Sequence, residues 1–323
     1  VGSQRMHGEV LLERYFRRGE HVLDPFAGSG TTLVQALESG LDATGVELAA
    51  FNCLLIRVKT AQYELPLLRE ELNEVYERIG VQPTKARRAS KYVRSWYAAQ
   101  ARAELLAFAD LIGEYVYSDV LRVVLSRAAR SARRTTHFDL EAPRTPQVGE
   151  YWCHKHKRVC RPVESAGAFL RRYTLDTLAR IEEFARVRAD GCRAAVVHND
   201  AREVQHVGRY DGVLTSPPYP GLIDYHEQHR YAYELLQLDD RRELELGAAA
   251  AGTSRAAIEA YVAGVAAALA NASRACAEGA PVLIVVNDRR GLYPDILERA
   301  GLQLEHRLRR HVNRRTGRRA GEY

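Results

Sequence analysis

The chain has 323 residues, 46% of them hydrophobic and 27% charged, with a net charge of +6 and a pI near 9.1, which describes an ordinary globular protein of one or two domains. No apolar run approaches the ~20 residues a bilayer-spanning helix needs, and no charged-then-apolar signal segment opens the chain, so no membrane association or export is expected. The five cysteines are scattered without disulfide-like spacing, which predicts a reducing cytoplasm. Arginine far outnumbers lysine, and the excess falls in runs at 85–88, 127–134 and 307–319. Clustered arginines favour a polyanion such as nucleic acid over merely solvated helix faces, because each cation near a phosphate releases counterions.

In chain order, residues 8–19 have helical spacing, with Val10, Leu11, Leu12, Tyr15 and Phe16 apolar. Residues 21–24 predict a short strand that runs straight into a glycine-rich turn, Asp24-Pro25-Phe26-Ala27-Gly28-Ser29-Gly30-Thr31-Thr32. A helix follows over 33–39 with Gly40 as its C-cap. A second strand over 43–48 carries Glu47 near its end, and another helix spans 49–63. Strand, glycine-rich turn, helix and strand with a terminal acid open a doubly wound α/β sheet.

From 64 to 191 no strand is predicted. Helical spacing recurs over 65–79, 98–117, 120–132 and 169–187, around an irregular polar patch at 135–162. Residues 64–192 therefore read as a large, mainly helical insertion that splits an α/β unit into 1–63 and 193–323. The α/β pattern resumes with a strand over 194–200 that ends on Asp200. A strand over 210–214 stops at Thr215-Ser216-Pro217-Pro218-Tyr219. Then come a small-residue linker at 247–254, an alanine-rich helix at 258–277, a strand at 281–286, a helix at 292–300 and a last strand at 302–312.

The first turn is not a Walker A loop, because no Gly-Lys-Ser/Thr follows, and it lacks the third glycine of a dinucleotide fingerprint. Glycines there allow a ligand close to the backbone. Glu47 lies 23 residues after Asp24, the distance at which such folds place a ribose-binding carboxylate. Asp200 could accept a hydrogen bond from an adenine amino group. Acids at three strand ends with no phosphate-binding lysine suit a cationic nucleoside, S-adenosylmethionine, better than a dinucleotide. In the second turn, two prolines cannot continue a sheet. A hydroxyl (Ser216), stiff carbonyls (Ser216, Pro217) and an aromatic face (Tyr219) suit a flat, amine-bearing ring.

These two motifs together resemble those of the amino-methyltransferases of DNA. The resemblance covers roughly residues 6–62 and 193–323. It implies an α/β fold with a Rossmann-like class I methyltransferase sheet of the seven-stranded type, S-adenosyl-L-methionine as cofactor, and double-stranded DNA as substrate with the target base flipped out. By position, Asp24, Phe26, Ala27, Gly28, Gly30 and Thr31 would border the methionine part of the cofactor, Glu47 would hold its ribose and Asp200 its adenine. Ser216, Pro217, Pro218 and Tyr219 would form the catalytic pocket for the base. Within the family, Ser-Pro-Pro-Tyr is typical of N4-cytosine enzymes and Asp/Asn-Pro-Pro-Tyr of N6-adenine ones, which implies N4-cytosine methylation and a restriction-modification or defence-system partner. The chain has no Pro-Cys dipeptide of the kind that carries the nucleophile of C5-cytosine enzymes. It departs from many N4-cytosine enzymes in its motif order and in where its insertion falls. An N6-adenine enzyme, an RNA guanine-N2 methyltransferase and a non-catalytic DNA-binding subunit are the alternatives.

Two further stretches stand out. Cys153, His154, His156 and Cys160 could in principle form a zinc site, but four ligands within one ten-residue segment would be cramped. A basic, aromatic loop contacting nucleic acid is the favoured reading, and no metal is assigned. Residues 224–230 read either as a lid with His226 or His229 near a leaving proton, or as a polar helix start.

Overall fold

Val22 and Leu23 are wholly shielded from solvent. Such an apolar pair between polar ends suits a short strand covered on both faces. The computed structural model describes residues 2–79, 89–137 and 143–308, with side chains from residue 9. Helix α1 (Gly2–Tyr15) leads into strand β1 (His21–Asp24) and, through the glycine-rich turn, helix α2 (Thr31–Glu38). Gly40, at φ +80°, turns the chain back into β2 (Asp42–Glu47) and α3 (Ala50–Thr60).

The inserted region follows as α4 (Leu65–Arg78), α5 (Lys91–Trp96), α6 (Ala99–Leu111), α7 (Ser118–Ala132), a hairpin of β3 (Tyr151–Cys153) and β4 (Arg158–Cys160), and α8 (Gly167–Val187). The chain then returns through β5 (Ala194–His198), β6 (Gly212–Thr215), α9 (Tyr225–Gln228), α10 (Arg230–Leu236), α11 (Arg255–Arg274), β7 (Val282–Ile284) and α12 (Tyr293–Arg299).

The five main strands lie in the order β5-β2-β1-β6-β7, all parallel. The chain steps outward from β1 to β2 and β5, then crosses to β6 and β7 on the other side. The crevice beyond the carboxyl ends of β1 and β6 is thus the switch point at which open α/β sheets bind ligands. The inserted helices do not stand apart from the sheet. One buried cluster joins Phe51, Leu54 and Val58 of α3 to Phe108 of α6, Val124 of α7, and Tyr231 and Leu235 of α10.

Several expectations need correction. The region read as strand-free contains the β3–β4 hairpin; strands of three residues are too short for a period-2 pattern to register. The helix expected over 98–117 ends at Leu111, and α5 precedes it. Among the described residues the sheet has five strands. Leu302 and Leu304 alternate as in a strand, but residues 302–308 form no strand, and 309–312 lie outside the described residues. Helix α11 is, among the described residues, the one long and apolar enough to cross a membrane. It lays Tyr261, Val265 and Leu269 into a cluster with Ile296 of α12.

The arginine run at 127–134 is partly internal. Arg127 pairs with Asp176 at 2.5 Å and lies 4.5 Å over the Tyr173 ring. Arg133, only 4% exposed, lies 5.0 Å over Tyr231. The run at 85–88 and most of that at 307–319 lie outside the described residues.

Candidate active site

The glycine-rich turn hangs from the end of β1. Gly28 and Gly30 sit at φ +51° and +82°, backbone that favours glycine. Gly30 also backs onto α3, where an added Cβ would lie 2.7 Å from Ile56 Cγ1. Gly30→Ala is therefore expected to destabilise the fold by about 2–4 kcal/mol through strain and overpacking, read as a lowered melting temperature. Ala27 turns into the sheet and is buried, its methyl against Gly45, and Thr31 opens α2 on the exposed side.

Asp24 is 3% exposed. It accepts from the Thr215 hydroxyl at 2.6 Å and the Phe26 N–H at 3.0 Å, so the ends of β1 and β6 are tied through one carboxylate. Burial raises its pKa, against hydrogen bonds from Thr215, Thr32 and Phe26. At the next strand end, Glu47 accepts from the Ala49 N–H at 2.7 Å. Burial pushes the Glu47 carboxyl up to about 7, with a further contribution from the negative charge of Asp24. Two carboxyls with raised pKa beside the turn, which is open at Gly28, are the acceptors a ligand bearing hydroxyls and positive charge would satisfy.

Asp200, 7% exposed just past β5, is already engaged. Arg202 grips both its oxygens through Nε at 2.9 and 3.0 Å, adds a short Nη2 contact, and donates its backbone N–H at 2.9 Å. These contacts hold Asp200 below the usual carboxylate range against the opposing effect of burial.

Beyond β6, Pro217 is buried and Ser216 is exposed. Ser216 Oγ donates to the Val285 carbonyl at 3.0 Å. Its only proton is thereby committed, so its oxygen can only accept, from the Tyr219 hydroxyl and from one incoming donor. The Tyr219 hydroxyl is raised by burial and hydrogen-bonds with the Asn287 backbone and Ser216, which fixes the ring. Tyr261 braces the turn by donating to the Pro218 carbonyl at 2.8 Å. Phe26, Glu47, Asp200, Ser216, Tyr225 and Glu245 line one cleft, so residues from both motifs meet in it.

Residues 224–230 form α9 and the step into α10, with both histidines held in internal contacts. His226 is 1% exposed; its backbone N–H donates to Glu245 at 2.9 Å, its Nδ1 makes a short contact with the same carboxylate, and its Nε2 accepts from the Arg241 N–H at 3.3 Å. His229 packs against Phe51 with ring centres 4.8 Å apart, and burial lowers its pKa to about 4. The His226–Glu245 pin holds α9 and, with it, Tyr225 against the cleft. His226→Ala leaves Glu245 without that partner, an expected cost of about 2–5 kcal/mol. Denaturation midpoints would read it, while the pH profile of turnover keeps its shape. Tyr225 lies in the stretch 224–230 already singled out, whereas Glu245 has no sequence signal: it ends the charged run Asp239 to Glu245, and only its tertiary pairing distinguishes it.

A family profile described as DNA methylase matches residues 8–57. The type II methyltransferase M.MjaII of Methanocaldococcus jannaschii is 33% identical over 401 aligned positions, which span 98% of this chain and 76% of that protein. The type II methyltransferase M.BsoBI of Geobacillus stearothermophilus is 23% identical over 261 positions, 73% of this chain and 51% of that protein. No solved structure matches the chain.

Proposed function

Since this chain belongs to the N6/N4 DNA methyltransferases of type II systems, which take their methyl group from S-adenosyl-L-methionine, we propose that it methylates the exocyclic N4 amino group of cytosine in DNA. The carrying observation is Ser216. With its proton given to the Val285 carbonyl, its oxygen acts as a neutral acceptor for one N–H of the base, and the Pro217 carbonyl takes the other. Accepting both hydrogens counters the delocalisation of the amine lone pair into the ring and aims that lone pair at the methyl donor. Stacking on Tyr219 fixes the ring plane, and positioning supplies much of the acceleration. A base inside a duplex cannot enter such a cleft, so it is extruded first.

The donor set fits the cofactor. Bound there, it supplies an activated methyl group on a sulfonium. Asp24 and Phe26 flank its methionine end beside Gly28, the Glu47 carboxylate accepts from its ribose hydroxyls, and Asp200 lies at its adenine while keeping its Arg202 partner. Residues 64–192 recognise the target sequence, and a nuclease sharing that sequence is the partner this reading implies.

The test is nucleoside mass analysis after incubation with methyl-labelled cofactor and mixed-sequence DNA or RNA. Label in N4-methylcytosine from DNA is the expected result. Label in N6-methyladenine would keep the mechanism and overturn the base assignment. Label confined to RNA would overturn the substrate.

A further inference from the structure

The β3–β4 hairpin has almost nothing of its own to hold it. Tyr151 pairs with Cys160, Trp152 with Val159 and Cys153 with Arg158. Trp152 and Val159 are 57% and 55% exposed. Of these six residues, only Cys153 and Cys160 are buried, at 1% and 8% exposure. An isolated two-stranded hairpin is marginal in water, and elements too small for a core are commonly held by a disulfide or a metal.

Beneath the hairpin, the side chains of His137, Cys153, His156 and Cys160 converge, their nitrogen and sulfur atoms all within 4.8 Å of one another. Cys153 Sγ lies 3.4 Å from His137 Nδ1 and 3.7 Å from His156 Nδ1, and Cys160 Sγ lies 3.5 Å from His156 Nδ1. A tetrahedral zinc with its usual bond lengths to sulfur and nitrogen would separate adjacent sulfur and nitrogen ligands by about 3.6 Å. The three contacts bracket that edge.

We propose that His137, Cys153, His156 and Cys160 bind one zinc ion in a closed, structural Cys2His2 site. Cys153 closes β3, His156 lies within the hairpin turn, Cys160 comes from the returning strand, and His137 from the segment that follows α7. The fourth ligand is thus supplied from outside the ten-residue stretch, which removes the crowding a purely local site would suffer. His154, though next to Cys153, is exposed and stands outside the group. The Tyr151 hydroxyl lies 2.8 Å from His137 Nδ1 and accepts the His137 backbone N–H at 3.1 Å. On metal binding it gives up the ring nitrogen and keeps the backbone contact.

Such an ion would fasten the hairpin to the segment after α7. That segment is itself anchored: the Arg134 N–H donates to the Trp96 carbonyl at 2.7 Å, and the Gln147 N–H to the Arg134 carbonyl at 2.8 Å. Four protein ligands leave no open position, so the ion takes no part in methyl transfer.

The untagged chain, purified under reducing conditions without chelator, should carry close to one equivalent of zinc by inductively coupled plasma mass spectrometry. Stripped and titrated with cobalt(II), it should develop thiolate charge-transfer bands and the intense ligand-field bands of a tetrahedral site. Cys153→Ser, Cys160→Ser and His137→Ala should each weaken cobalt binding by more than the ~10–100-fold typical of losing an outer partner, while His154→Ala leaves it unchanged. Reduced wild-type chain with free thiols, no metal and no cobalt spectrum would overturn the site. A cobalt spectrum lost in His154→Ala but kept in His137→Ala would overturn the ligand assignment. The wild-type titration decides the matter even where a variant fails to fold.

Discussion

Ser216→Ala is expected to lower methyl transfer by about 10²–10³-fold, the range seen when one preorganised polar contact to a reacting group is removed, with cofactor affinity unchanged within about twofold. The alanine removes the acceptor beside the Val285 carbonyl without disturbing Asp24, which holds the β1 and β6 ends together through Thr215. Tyr219→Ala should act in the same direction by removing the stacking face. It should also loosen the turn, because the Tyr219 hydroxyl is tied to Ser216 and the Asn287 backbone. Single-turnover methyl transfer beside equilibrium dialysis of the cofactor separates the two quantities. A wild-type rate in Ser216→Ala would remove Ser216 from the reaction. Partial recovery in Ser216→Thr, which restores a hydroxyl, would support its role as acceptor.

The second large effect concerns pH. With the Glu47 carboxyl at about 7 in the free chain, the proposed ribose contact to its carboxylate form would displace a proton at lower pH. Cofactor affinity should then fall about tenfold per pH unit below 7, and approach a plateau near pH 8. The stability of the free chain runs the other way. A carboxyl at about 7 when folded, against 4.5 in the ordinary state, binds its proton more tightly in the native chain. Its contribution to stability is fully present below about 4.5 and is lost as pH rises through about 7. The cofactor-induced rise in melting temperature should therefore be larger at pH 8 than at pH 6. Glu47→Gln should weaken binding and flatten this dependence, which separates Glu47 from titration of the ligand itself. An affinity independent of pH from 6 to 8 in the wild-type chain would contradict the ribose assignment.

The strand ends were legible because short apolar pairs stop abruptly at polar residues: Val22-Leu23 before Asp24, Val213-Leu214 before Thr215. A glycine-rich turn after one and a double proline after the other mark a crevice without reference to distant contacts. Pairings that only the folded chain makes were hidden. Arg202 follows Asp200 by two positions, yet only the folded turn closes it onto that carboxylate. For His226 the sequence leaves open both a lid beside the reacting group and a polar helix start, because the Glu245 carboxylate and Arg241 backbone that occupy its ring lie 19 and 15 positions away. His137 joins Cys153 from 16 positions away, and no periodicity connects a lone histidine in a polar patch to a hairpin. The run at 127–134 suggests a polyanion contact from composition alone, which cannot distinguish a guanidinium facing a phosphate from one laid on a tyrosine ring, as Arg127 and Arg133 are.

The common core of α3, α10 and the inserted helices bears on how this architecture can be remodelled. Phe51, Leu54, Val58, Tyr231 and Leu235 are buried against that bundle. Excising residues 64–192 would strip cover from all of them at once. At ~1.5–3 kcal/mol for each large apolar side chain, the loss is on the order of 10 kcal/mol, as much as a typical domain's whole stability. The region cannot be exchanged as a cassette. A graft from a relative would have to bring a matching α3 and α10 with it, because the bundle's inner face is shared with helices that pack on the sheet while its outer faces are not.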